Sequence, residues 1–117
     1  MTVKECYDAM GADYEDVLGR LRKDERIQKF VLKLLNDKSY ELLINSMEAG
    51  DMNEAFRAAH TLKGVCQNLS ITTLYHSSAK LADRLRDGQE YGADVEPLLE
   101  QVKKDYTLAM ECIQKLA

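Results

Sequence analysis

Apolar residues recur along this chain at intervals of three and four, the spacing that places them on one face of a helix. Tyr14, Val17, Leu18 and Leu21 form such a stripe over 13–22. Ile27, Phe30, Val31, Leu34 and Leu35 form the next, with Asp24 as its candidate cap, until Asn36 and Asp37 interrupt it. Leu42, Leu43 and Met47 pattern 38–49, which stops at Gly50. Asp51, with Glu54 three places on, opens a segment that runs to about Ser70, since a side-chain oxygen there accepts the first unpaired amides of a helix. Leu74, Ser78, Leu81 and Leu85 mark 72–87 up to Gly88. A last helix spans Asp94 to Leu116, with Pro97 tolerated in its first turn. At the N-terminus Thr2 and Glu5 have the spacing of a reciprocal capping box, and Gly11 ends the short helix between.

No stretch alternates apolar and polar residues in the manner of a strand, and every connection is short. Short loops between amphipathic helices favour antiparallel neighbours. The pattern therefore predicts an all-α fold: an antiparallel four-helix bundle over about 38–116, with additional short N-terminal helices over about 2–35 packed on one end. A chain of 117 residues has room for one domain spanning 1–117. The longest apolar run is three residues, as in Phe30-Val31-Leu32, far short of a membrane span. The first residues hold no apolar signal core, so nothing argues for export. Met1 and the full set of bundle helices predict a standalone, monomeric chain.

Charge and cysteine content narrow the classes further. The net charge of −4 argues against nucleic acid as a partner, which calls for a basic stripe. The three cysteines, Cys6, Cys66 and Cys112, include no C-x-x-C pair, which excludes a zinc ribbon or a thioredoxin-type motif. They are expected to be reduced core residues in a cytoplasmic protein.

Gly11, Gly50, Gly88 and Gly92 fall at helix ends or loops, whereas Gly19 and Gly64 fall inside helices. A glycine there costs about 0.5–1 kcal/mol relative to alanine. Gly19 is expected to mark close packing or a weak helix. Gly64 sits in the best-capped helix, where something must compensate for it. With His60 at zero on a wheel of ~100° per residue, Phe56, Lys63, Gly64 and Gln67 lie within roughly 60° of it, and Asn53 and Arg57 fall on the same side. Ala55, Ala58, Ala59, Leu62, Val65, Cys66 and Leu69 take the opposite side, and Asp51 and Glu54 lie off the histidine front.

That front suits a histidine that carries an anion. A neutral imidazole is a nucleophile near neutral pH. Lys63, one turn away, can reach negative charge placed on the ring, and Gly64 removes a side chain that would crowd the ring and an incoming partner. No second acid or base stands nearby on this helix, which argues against self-contained hydrolysis.

The stretch Ala59-His60-Thr61-Leu62-Lys63-Gly64 resembles the signature of histidine-containing phosphotransfer (HPt) domains. The turn Ala49-Gly50-Asp51, the pair Asn68-Leu69 and the pattern Leu74 through Leu85 are similar to that family as well. The resemblance covers about 13–88, with the terminal helix as the last bundle member. It implies a four-helix bundle that relays phosphoryl groups in two-component signalling. His60 would attack the aspartyl phosphate of a response-regulator receiver domain, hold phosphohistidine, and pass the group to another receiver. Lys63 would stabilise the phosphohistidine and Gly64 would give access. The resemblance implies no cofactor on this chain, Mg²⁺ being held by the receiver, and no kinase or hydrolase activity of its own. It implies receivers and a sensor histidine kinase as partners. The chain departs from the family pattern at Gln67, where a small residue is usual; at Ser70, where glycine is common; and at Ala82, beside Asp83, where a Glu or Gln often lies near the histidine. Gln67 could narrow access or donate to the phosphoryl group.

Arg57, Phe56 and Gln67 complete the candidate binding residues. Phe56 could be an exposed anchor or could pack beneath an N-terminal helix. Apolar docking surface is expected from Phe56, Met52, Leu43 and Met47. His76 carries no motif and is expected at the surface or partly buried. The alternatives are a helical adaptor that binds a receiver or kinase without taking phosphate, and a metal or haem bundle built on His60, His76 and a methionine or cysteine. The Glu-x-x-His pairs of bundle metal sites are missing, since Arg57 and Thr73 precede the two histidines by three places. No metal site is expected.

Overall fold

The computed structural model describes residues 1–88 and 90–116. Helix α1 spans Val3–Ala9, and its capping box is present: Thr2 Oγ1 accepts the Glu5 amide at 3.1 Å while Glu5 accepts the Thr2 amide at 2.8 Å. Helix α2 spans Tyr14–Leu21 and is capped by Asp13, whose side chain accepts the Asp16 amide. Helix α3 spans Asp24–Leu32. Asp24 does not cap it: the cap position is Lys23, with no side-chain bond, and Asp24 instead accepts the Tyr14 hydroxyl at 2.6 Å and so ties α3 to α2. A 3₁₀ turn, Lys33–Asn36, leads to α4, Ser39–Ala49. Helix α5 spans Met52–Asn68, with Asp51 accepting the Glu54 amide as the spacing predicts. Helix α6 spans Thr72–Leu85, a 3₁₀ turn follows at Arg86–Gly88, and α7 spans Val95–Gln114. There is no strand among the described residues.

Helices α4 to α7 form the bundle. Helix α5 packs against α4 and α6, and α6 against α7. Helices α4 and α7 close the ring through Tyr40 and Tyr106, whose rings stack 3.7 Å apart and nearly parallel. Three fully buried alanines of α5, Ala55, Ala58 and Ala59, let neighbouring helices approach closely. Leu62, Leu74, Leu81 and Leu85 fill the space between them, all fully buried. Each such side chain contributes about 1.5–3 kcal/mol by leaving water. Leu43, Met47 and Met52 belong to this core and are therefore not docking surface. The large apolar residue that α4 exposes is Leu42, at 45%. Phe30 also departs from its predicted stripe. Ile27 and Val31 of α3, with Leu34 of the 3₁₀ turn after it, already fill the buried face, and Phe30 turns outward beneath the Lys33 ammonium, 5.1 Å from the ring centre. The three cysteines are buried and unpaired, and burial pushes the Cys6 thiol up to about 11 and that of Cys66 to about 12. No helix among the described residues is long and apolar enough to cross a membrane.

The N-terminal helices clamp the α5–α6 turn and the end of α7. The buried Tyr7 hydroxyl donates to the Leu69 carbonyl at 2.7 Å, and the Asp13 amide donates to the Ser70 carbonyl at 2.8 Å. The Gly11 carbonyl accepts both the amide and the hydroxyl of Thr73. Gly11 has a φ of +67°, and a β-carbon on it would fall 2.3 Å from Thr73 Oγ1, so close approach and backbone hand both demand glycine. At the far side Gln28 donates to the Leu116 carbonyl at 3.3 Å.

Candidate functional site

His60 stands on the outward flank of α5 because the opposite flank is committed to the core. Ala55, Ala58, Ala59, Leu62, Cys66 and Leu69 are buried as the wheel predicts, with Val65 half-buried at the border. The His60 imidazole is exposed, and Lys63 and Gly64, one turn on, are half-buried. One turn back, the half-buried Phe56 stacks on the imidazole, with ring centres 5.7 Å apart and planes 29° from parallel. Phe56 thus packs beside His60 on the same face of α5.

The charge pattern of this face separates Lys63 from Arg57. Arg57 forms an ion pair with Glu54, so its charge is spoken for and a carboxylate does reach this side. Lys63 makes no ion pair among the described residues. At Gly64 a β-carbon would meet nothing within 4 Å. Nothing in the space around it requires glycine there, and close packing does not offset its helix cost. Gly19 likewise has open space around it, so close packing does not explain it.

The family model of the Hpt domain matches residues 15–112. The chain belongs to the Hpt domain family. Comparison with curated proteins and with solved structures returned no match. Hpt domains are helical bundles that perform histidine phosphotransfer in phosphorelays, together with other two-component signalling proteins.

The departures of this Hpt domain from its family pattern have physical accounts. Ser70 follows α5 with a φ of +57°, the left-handed conformation for which glycine is the usual choice. The Ile71 amide reaches back to the Cys66 carbonyl and the Ser70 amide to that of Gln67, the paired bonds of a Schellman ending. A serine holds this conformation because its hydroxyl donates to Asp16 and accepts from Arg20, both at 2.6 Å. Arg20 also donates to the Asn68 carbonyl at 2.6 Å and the Gln67 carbonyl at 3.4 Å, which satisfies orphan acceptors of the helix end. Gln67 itself is exposed at the edge of a groove of about 360 Å³ shared with Asp13, Asp16, Ser70, Tyr75 and His76, toward the α5–α6 turn.

Ala82 is fully buried and offers the site no polar atom. Asp83 beside it is exposed and accepts from Arg86 at 2.8 Å. Arg86, one turn beyond Ala82, is the residue that sequence reasoning missed. Its guanidinium lies over the Phe56 ring, 5.6 Å from the centre. The i+4 spacing from Ala82 could have pointed to it. His76 is exposed, as expected, with its ring edge-on to Tyr75 at 5.3 Å. Among the described residues no three His, Cys, Asp or Glu side chains gather into a metal-binding group.

Proposed function

We propose that His60 is the phosphoacceptor of this Hpt domain, with Lys63 and Gly64 as its stabilising and access residues. The observation that carries this reading is the exposed imidazole beside a lysine with no ion pair among the described residues and an uncrowded glycine, on a helix whose other flank is core. In the forward step an imidazole nitrogen of His60 attacks the phosphorus of a receiver's aspartyl phosphate. The N–P bond forms, the acyl P–O bond breaks, and the receiver's carboxylate leaves. The second step runs the same exchange in reverse onto another receiver. Lys63 balances the charge of the phosphoryl group on the ring. The open backbone at Gly64 lets the receiver's loops approach. The receiver supplies the Mg²⁺, and a sensor histidine kinase stands at the head of the relay. The chain acts as a monomer in the cytoplasm, a setting in keeping with its three unpaired thiols.

The test is incubation with phosphorylated receiver domains. The chain should take up label that is acid-labile and base-stable. His60→Gln should take up none while keeping its helical circular dichroism. Label on a folded His60→Gln protein would show that the acceptor is another residue.

A further inference from the structure

We infer that Arg86, acting through Phe56, orients the His60 imidazole for phosphoryl transfer; the inference rests on His60 being the phosphoacceptor. An exposed histidine on a helix samples several side-chain rotamers, whereas transfer requires the ring nitrogen to meet phosphorus in line. Three contacts restrict that freedom here. Phe56, one turn before His60, lies against the ring at 5.7 Å. The Arg86 guanidinium lies over Phe56 at 5.6 Å. The Asp83 carboxylate holds Arg86 at 2.8 Å. The chain of contacts crosses from the end of α6 to the flank of α5, at the place where the Arg86–Gly88 turn packs on α5.

The buried Ala82 explains why this route is needed. It leaves α6 without a polar side chain aimed at the histidine from the interior. The 3₁₀ turn after α6 acts instead, and it acts indirectly: Arg86 touches the phenyl ring, and the phenyl ring touches the imidazole. Arg86 is thus a positioning residue. A guanidinium over an aromatic face is attracted by the ring's quadrupole, and a pinned phenyl ring denies the imidazole the rotamers that would carry it away. The ordering is then done before the receiver arrives, which is where positioning gains rate.

Two readouts on the full chain test this. The first is the NMR position of the His60 ring protons, assigned by their loss in His60→Gln. Phe56→Ala should abolish their ring-current shift, Arg86→Ala should reduce it, and Arg86→Lys should restore part of it. The second is transfer from a phosphorylated receiver at saturation. The maximal rate should fall about threefold in Arg86→Ala, in keeping with a surface cation–π contact, and about tenfold in Phe56→Ala through misalignment. KM should move less than twofold in Arg86→Ala. Phe56→Leu keeps the apolar bulk and serves if Phe56→Ala does not fold. Unchanged ring shifts and maximal rate in Arg86→Ala overturn the inference. A rise in KM alone overturns it too, since that marks a docking charge. Failure of the wild-type chain to take label overturns the phosphoacceptor assignment, and the inference with it; unchanged ring shifts overturn the inference alone.

Discussion

Arg20 donates to the Ser70 hydroxyl at 2.6 Å across fifty residues of sequence. The same guanidinium nitrogen reaches the last carbonyls of the helix that carries His60. A charged side chain from α2 thus finishes a helix that its own sequence ends without glycine. Through this contact the short N-terminal helices contribute to the site. They hold the C-terminal end of α5, whose other end is fixed by the Asp51 cap.

Ser70→Ala and Ser70→Gly should separate the two jobs of this position. Both lose the hydroxyl's bonds to Asp16 and Arg20, and Ser70 is buried. Alanine must also hold a φ of +57° that glycine accepts freely. Ser70→Ala should cost about 1–3 kcal/mol for the lost and orphaned hydrogen bonds. Ser70→Gly should cost about 1 kcal/mol less, the left-handed penalty being relieved. Urea unfolding measures both, and equal stability of the two variants would contradict the account.

The same cluster has a pH signature. The Ser70 hydroxyl first, and Arg20 second, hold the Asp16 carboxyl below its ordinary 3.8. A carboxyl depressed on folding contributes stability that is present above its unfolded pKa and lost as pH falls through the folded value. Asp16→Asn should therefore be less stable than the wild type at neutral pH, and the gap should close as pH drops below 3.8. Urea midpoints across the acid range check this; a gap that stays constant with pH would assign the loss to packing.

The residues that could be placed from sequence are those whose partners lie within one helical turn. The Thr2–Glu5 box and the Asp51 cap are of this kind, since a cap needs only its own first turn. The His60 face of α5 was legible for a related reason: seven apolar positions define one buried flank, and the other flank follows by geometry. Where the outcome depended on another helix, the sequence was silent. The stripe of α4 did not say that Leu43 and Met47 face the core while Leu42 faces solvent. Arg20 and Arg86 act on α5 from α2 and from the end of α6, so no pattern within α5 could reveal them.

Lys63→Ala should leave the fold nearly unchanged, within about 0.5 kcal/mol, because the residue is half-buried and makes no ion pair among the described residues. Its effect should fall on the phosphorylated state. Losing one cation at a solvent-facing site is worth up to ~1 kcal/mol, so label should form or persist about fivefold less well. Decay of the label after removal of the donor gives the lifetime, and its initial rate gives formation. If both match the wild type, Lys63 has no anion to stabilise.

Gly64→Ala should move stability and function in opposite directions. The added methyl enters open space, with nothing within 4 Å, and the helix gains about 0.5–1 kcal/mol from replacing a mid-helix glycine. The thermal midpoint should therefore rise. The methyl nevertheless stands one turn from His60, on the face that a receiver approaches under the proposed function, so transfer should slow, and Gly64→Leu should slow it further at equal or higher stability. A structural glycine predicts the reverse pairing, a loss of stability that accounts for any loss of transfer. If Gly64→Ala gains stability and still transfers at the wild-type rate, access to His60 does not run past this position.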